Sequence, residues 1–159
     1  MTLAYVALGS NLGDSRQQVV DAMEALAGFP DTRVLARSSL YLTPPWGVLD
    51  QPAFVNAVAL IDTQLMPYGL LDALLALETL AGRVRAVRNG PRTLDLDIVH
   101  MEGMQLDDAR LTLPHPRLAE RAFVLLPLAD VAPGLDIPGI GPVHALLARV
   151  DSSGCQKLD

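Results

Sequence analysis

The chain has one cysteine, Cys155, in the polar tail Asp151-Ser-Ser-Gly-Cys-Gln-Lys157. A lone thiol excludes an internal disulfide framework, and no histidine or cysteine stands near enough in sequence to suggest a zinc cluster. No apolar run reaches the roughly 20 residues that span a bilayer as a helix. The first residues, Met1-Thr-Leu-Ala-Tyr-Val-Ala-Leu8, have neither a basic leader nor a cleavage signature, so the expected location is the cytoplasm and no membrane partner is expected. Neither G-x-x-x-x-G-K-[ST] nor G-x-G-x-x-G occurs, which excludes the common phosphate loops. Lysine is nearly absent: of 12 Lys+Arg only Lys157 is lysine, and the net charge is −6. That balance argues against a general nucleic-acid binder. Aromatic residues make up only 4% of the chain, so each one near a polar cluster is informative.

What is present is a globular composition. Half of the 159 residues are apolar and 19% are charged, which fits one domain over 1–159 with a sizeable core. The positive charge is concentrated, with seven of the eleven arginines between Arg83 and Arg121. Beside them lies Gly90-Pro91-Arg92-Thr93-Leu94-Asp95-Leu96-Asp97-Ile98. Its alternation predicts a strand with Leu94, Leu96 and Ile98 on one face and Asp95 and Asp97 on the other. The two carboxylates then stand roughly 7 Å apart at Cα, which leaves room for hard cations bridged by phosphate oxygens. Arg83, Arg85, Arg88 and Arg92 precede or flank them. Carboxylates for Mg²⁺ beside guanidiniums for phosphate suit phosphoryl transfer. The plainer reading is an edge strand with solvated charges.

Periodicity predicts a central strand at Thr2–Leu8, a turn at Gly9–Gly13, and a helix opened by Asp14 and Gln17. A second strand is expected over Arg33–Tyr41 and a third over Ala53–Ile61. A Leu-rich helix begins at Pro67 and ends near Gly82. His100 continues the apolar face of the Asp strand. A short helix lies between Pro116 and Pro127, a last helix runs from Pro142 to Val150, and the tail frays. The order β-α-β-β-α-β predicts a ferredoxin-like α+β fold. Its sheet is antiparallel with two helices on one face; the other face, or its rim, is expected to stay free for loops and a ligand, and the segment after residue 100 is an extension that could wall such a site.

Asn56 sits among apolar neighbours and shares a face with Phe54. A buried amide needs partners; it either caps a loop or reads the edge of a heterocycle against Phe54. The Thr43-Pro44-Pro45-Trp46-Gly47 loop is held stiff by its prolines. Trp46 covers a ligand there or packs as an ordinary half-buried ring. His115, between Pro114 and Pro116, either donates to a phosphate or stabilises its own turn. A nucleotide sensor and a nucleotidyltransferase remain open as alternatives; a sensor does not require the paired aspartates and arginine cluster, and a nucleotidyltransferase would release pyrophosphate.

These segments together resemble the 6-hydroxymethyl-7,8-dihydropterin pyrophosphokinase family of folate biosynthesis. The likeness rests on A-L-G-S-N-L-G-D (7–14), S-S-L-Y-L-T-P-P-W-G (38–47), Q-P-A-F-V-N-A-V (51–58), G-R-V-R (82–85), R-N-G-P-R-T-L-D-L-D-I (88–98), L-T-L-P-H-P-R-L (111–118) and R-A-F-V-L-L-P-L (121–128). The resemblance implies transfer of pyrophosphate from ATP to the pterin hydroxymethyl group, with AMP released and two Mg²⁺ ions held by Asp95 and Asp97. It implies catalytic roles for Arg83 and Arg92. It places Glu78, Arg85, Arg88, Ile98, Arg110, Thr112, His115 and Arg121 on the ATP side. The pterin pocket is implied at Thr43, Pro44, Pro45, Trp46, Gly47, Phe54, Asn56 and Phe123, with the two phenylalanines sandwiching the ring. A monomer is expected. Asn89 departs from the pattern, standing where many members carry an aromatic residue that closes over the pterin, and the 85–88 loop looks one residue shorter than in some members.

Overall fold

The structure is a computed structural model that describes residues 1–45, 50–82 and 93–158. β1 (Thr2–Ser10) is followed by α1 (Ser15–Leu26), β2 (Thr32–Arg37), β3 (Leu40–Thr43) and β4 (Phe54–Thr63). Then come α2 (Pro67–Leu80), β5 (Asp95–Met101), β6 (Leu106–Asp107) and β7 (Thr112–Leu113). A 3₁₀ turn (Leu118–Glu120) precedes α3 (Ala122–Val131), β8 (Asp136–Ile137), β9 (Gly141–Pro142), α4 (Val143–Leu147) and β10 (Gln156–Leu158). The main sheet is antiparallel, in the order β10-β3-β4-β1-β5, and β2 also pairs with β4. The fold is thus mixed α/β on an antiparallel sheet, with four α-helices among the described residues.

Local chemistry sets the element ends. Asp14 caps α1, its carboxylate accepting from the Gln17 amide at 3.2 Å. Pro67 opens α2, where a missing N–H costs nothing. The second strand is broken in two. Ser38 Oγ accepts from Val58 N at 2.8 Å, taking a main-chain place in the ladder, and Leu35 is an extra residue in the β2–β4 register.

α1 and α2 share one face as expected, but the C-terminal extension adds α3 and α4 to the other, so helices are not confined to one face and what stays free is the rim. On one side Val19, Met23 and Leu26 of α1 and Leu70 and Leu74 of α2 pack on Val6, Leu8, Ala57, Leu96 and Ile98. On the other side Val124, Leu125 and Leu128 of α3, with Val143 and Leu146 of α4, cover Tyr5, Val58 and Val99. The reason is legible in β4, whose first six residues are all buried: a strand apolar on both faces needs cover on both. α3 also runs through Pro127 rather than stopping at it, because burial of Val124, Leu125, Pro127 and Leu128 outweighs one lost helical hydrogen bond.

Three further expectations change. β1 continues through Gly9 and Ser10, so the turn begins only at Asn11. The last helix is short, and the tail does not fray: β10 adds to the edge of β3, where Leu158 packs on the core. His100 is buried but does not continue the face of Leu96 and Ile98. The β1–β5 register pairs Val6 with Ile98 and Tyr5 with His100, so Val99 is a bulge that inverts the alternation. His100 therefore stacks on Tyr5, with ring centroids 5.9 Å apart, on the α3 side.

Candidate active site

The α3 layer covers only part of its face. The uncovered end is where β1 finishes and β4 and β5 begin. Register places Asp95 opposite Gly9 and Asp97 opposite Ala7, both small, so both carboxylates stand on this face with room above their neighbours. The predicted shared face of the two aspartates is what the strand pairing yields. Gly9 in turn faces Asn56, Asn56 faces Tyr41, and Phe54 faces Thr43. Thr43, Phe54 and Asn56 thus lie on the same face as the aspartates, across the sheet from them.

Asn56 is buried, and its Nδ2 donates to Thr43 Oγ1 at 2.6 Å. A Cβ added to Gly9 would lie 2.6 Å from Asn56 Oδ1, a distance that real contacts do not reach. Gly9 is therefore the residue that lets this amide stand where it does. Gly9 is absent from the expected site residues because the sequence around it reads as a turn. Asn11 is a second residue that sequence reasoning missed: its Nδ2 donates to Gln51 Oε1 and to Pro52 O, each at 2.9 Å. It thereby ties residues 51–52 to the end of β1. Asp130 of α3 is a third, accepting from Tyr41 Oη at 2.9 Å and from Ser39 N at 3.1 Å. That carboxylate and burial push the Tyr41 phenol up to about 12, burial being the larger cause.

The C-terminal segment supplies the wall. Arg121 and Phe123 sit at the start of α3. The Arg121 guanidinium lies 5.5 Å from the Phe123 ring centre and 4.0 Å from Asp97 Oδ2. His115 holds its turn: its Nδ1 accepts from Arg117 N at 3.2 Å, while its own amide donates to Val99 O at 2.9 Å. Burial, then the Arg121 charge, lower its pKa to about 4 against an upward pull from Asp95. The ring is neutral at pH 7, with its proton on Nε2. The turn bond of the two options for His115 is present, and it leaves the other ring nitrogen as a donor.

Along the outer edge of β5 is a cavity of about 280 Å³ lined by Leu71, Leu75, Glu78, Asp95, Leu96, Asp97 and Arg110. Glu78 is 3% exposed and its Oε2 accepts from Leu96 N at 2.7 Å. It braces the residue between the two aspartates. The Ile98 side chain is in the core, so only its main chain can meet a ligand. By alternation that main chain points off the same sheet edge as that of Leu96. Thr112 is in β7, paired with Asp107 of β6. Pro44 and Pro45 follow β3 directly. Trp46, Gly47, Arg83, Arg85, Arg88, Asn89 and Arg92 lie outside the described residues, as does the 85–88 loop. A larger cavity of about 380 Å³ between α1 and α2 has only Gln18, Asp21 and Thr93 as polar lining and brings no catalytic set together.

Mg²⁺ takes one or two carboxylates and completes its shell with water and substrate phosphate. Asp95 and Asp97 fit that demand, being oxygen donors on one face with small residues opposite. Among the described residues no group of three acidic, histidine or cysteine side chains forms an all-protein metal cage.

A carboxylate pair, the guanidiniums of Arg110 and Arg121 and a braced amide beside an aromatic ring are groups that phosphoryl transfer to a planar substrate would use. Comparison with known proteins is more particular. The chain matches the 7,8-dihydro-6-hydroxymethylpterin-pyrophosphokinase (HPPK) family over residues 5–133, and it belongs to that family. It is 50% identical over 159 residues to the 2-amino-4-hydroxy-6-hydroxymethyldihydropteridine pyrophosphokinase of Methylorubrum extorquens, with all of both chains covered. It is 51% identical to the enzyme of the same name from Pseudomonas aeruginosa, covering 97% of this chain and 95% of that one. In fold it is similar to a crystal structure of Plasmodium falciparum HPPK-DHPS with pteroate, at TM-score 0.74 and 13% identity. That match covers 93% of this chain and 42% of the larger one.

Proposed function

We propose that this chain carries out its family's reaction with Asp95 and Asp97 as ligands for two Mg²⁺ ions, Arg83 and Arg92 as catalytic arginines, and the Thr43–Asn56 face as the pterin pocket. The reaction is transfer of pyrophosphate from ATP to 6-hydroxymethyl-7,8-dihydropterin in folate synthesis. The hydroxymethyl oxygen bonds to the β-phosphorus, the bond to the α–β bridging oxygen breaks, AMP leaves, and the hydroxyl proton is released. The observation that carries the assignment is the placement of Asp95, Asp97, Gly9 and Asn56 across three adjacent strands on one face.

Bound Mg²⁺ would supply Lewis-acid neutralisation of phosphate charge at the two carboxylates. The chain's own residues do the rest. Asn56, fixed by Thr43 and Gly9, presents its amide to the pyrimidine edge of the pterin, with Phe54 and Phe123 against its faces and Pro44, Pro45, Trp46 and Gly47 completing the pocket. Arg121 lies between Asp97 and Phe123, and so between the two substrates. Arg85, Arg88, Arg110, Thr112, His115, Glu78 and the Ile98 main chain form the ATP side. Guanidiniums aimed where charge develops stabilise the transition state without reorganisation.

The fold reading that goes with this is a ferredoxin-like βαββαβ unit whose second strand is split into β2 and β3, within one domain over 1–159 that acts as a cytoplasmic monomer. No helix among the described residues is long and apolar enough to cross a membrane. The test is product identity. ATP, Mg²⁺ and the hydroxymethyl dihydropterin should give AMP and the pterin diphosphate in equal amounts. Release of pyrophosphate instead indicates a nucleotidyltransferase, and binding without turnover a sensor; either result overturns the reading.

A further inference from the structure

Arg110 stands between β6 and β7 and lines the same cavity as Asp95 and Asp97. Its side chain is half exposed. An exposed arginine normally samples many rotamers, and fixing one costs entropy. Here three contacts act on it, two on the guanidinium and one on its amide. The guanidinium pairs with the Asp72 carboxylate and lies 5.1 Å from the centre of the Tyr68 ring. Tyr68 and Asp72 are four residues apart, one turn along the same face of α2. The Tyr68 hydroxyl donates to Asp108 Oδ2. Asp108 Oδ1 accepts from the amides of Arg110 and Leu111, both at 2.9 Å. Asp108 closes the loop on itself, and Asp108 and Arg110 both pin it to α2.

We propose that Tyr68, Asp72 and Asp108 are positioning residues that hold Arg110 in place for the triphosphate of the nucleotide. The proposal rests on the reading of Arg110 as part of the ATP side. Two physical effects support it. First, a guanidinium already ordered loses less entropy when it meets a phosphate. Second, Asp72 gives Arg110 a carboxylate other than Asp95 and Asp97. With Asp108 beside it as well, this cation has two carboxylate neighbours of its own. The cradle is exposed, so it adds little to fold stability. This separates a positioning role from a structural one.

The experiment is a double-mutant cycle read by calorimetry with a non-hydrolysable ATP analogue and Mg²⁺. Asp72→Ala should weaken nucleotide binding about three- to tenfold, the range expected for un-ordering one long side chain. In steady-state assays the loss should fall on KM for ATP rather than on kcat. Asp72→Glu should recover most of it, and the effect should shrink as salt is raised. Tyr68→Phe, which keeps the ring but not the hydroxyl, should cost less than Tyr68→Ala. In an Arg110→Ala background Asp72→Ala should change nothing further. Pterin affinity and melting temperature should hold throughout. Unchanged nucleotide affinity in Asp72→Ala overturns the proposal, and so does an equal loss with and without Arg110. Arg110→Ala alone tests the underlying reading separately: unchanged nucleotide affinity in that variant removes Arg110 from the ATP side, whereas a loss there with none in Asp72→Ala overturns only the positioning role.

Discussion

Gly9→Ala adds one methyl group at the point where three strands meet. The backbone tolerates it: Gly9 is not among the residues at positive φ, so alanine is not strained there and even gains about 0.4–1 kcal/mol through the unfolded chain. The whole cost is contact. The new Cβ falls 2.6 Å from Asn56 Oδ1, where ordinary contact begins at 3.4 Å, and 3.8 Å from Phe54 Cδ1. The amide has no easy retreat, because its Nδ2 is bonded at 2.6 Å to Thr43, which is 1% exposed. Overpacking of this kind costs about 1–3 kcal/mol and a stretched hydrogen bond about 0.5–1.5 more. Net of the backbone gain, stability should fall by about 0.5–4 kcal/mol, read as a lower urea midpoint. The functional effect should be selective. Displacing the amide leaves a polar edge of the pterin unpaired, a loss of about ten- to a hundredfold in affinity. ATP-analogue binding should fall less than pterin binding, since the three atoms nearest the new Cβ belong to Asn56 and Phe54 and none to Asp95. Calorimetry with each substrate decides it. Combining Gly9→Ala with Asn56→Ala gives the added methyl space, so the stability cost of Gly9→Ala should largely vanish in that background. A Gly9→Ala protein that binds pterin as tightly as wild type refutes the reasoning.

Asp95→Ala and Asp97→Ala should each fold normally by circular dichroism yet lower AMP formation at least about a thousandfold, because a lost metal ligand removes several kcal/mol of charge stabilisation; Mg²⁺-dependent turnover near wild type in either would remove the pair from the mechanism. Glu78→Ala should cost about 1–3 kcal/mol by urea unfolding, because the buried Leu96 amide loses its acceptor, whereas Glu78→Gln keeps an acceptor and should cost less; equal costs would show that the hydrogen bond is not what matters. His115 carries a pH dependence of definite sign. Its pKa is about 4 folded and 6.5 unfolded, so between these values the unfolded chain binds the proton first and stability falls as pH falls. The contribution is at most about 3 kcal/mol and should be missing in His115→Gln, so parallel stability curves for the two proteins between pH 7.5 and 4.5 would contradict it.

The same-face carboxylates of Asp95 and Asp97 were legible because alternation is local: two residues apart on a strand means one face, whatever the partners. The Asp14 cap, the Pro67 helix start and the central position of β1 were legible for the same reason. The likeness to a known family extended this to residues far apart in the chain, and brought Thr43, Asn56, Arg121 and Phe123 into one candidate site before any contact was known.

Periodicity alone could not see what depends on register. The bulge at Val99 moves His100 to the opposite face, since one inserted residue inverts every side chain beyond it. Cover of the second sheet face by α3 and α4 needed the strands to pair first, because an apolar stretch does not declare which surface it will meet. Gly9 reads as a turn in one dimension and as the space for Asn56 in three. Arg110 and Asp72 are 38 positions apart, and Arg121 and Asp97 are 24 apart. The sequence by itself determined which side chains carry charge, which carry apolar surface and how they alternate along each element. Only the tertiary structure decided which of them touch, because contact across a sheet is set by strand order, register and the packing of helices on its two faces.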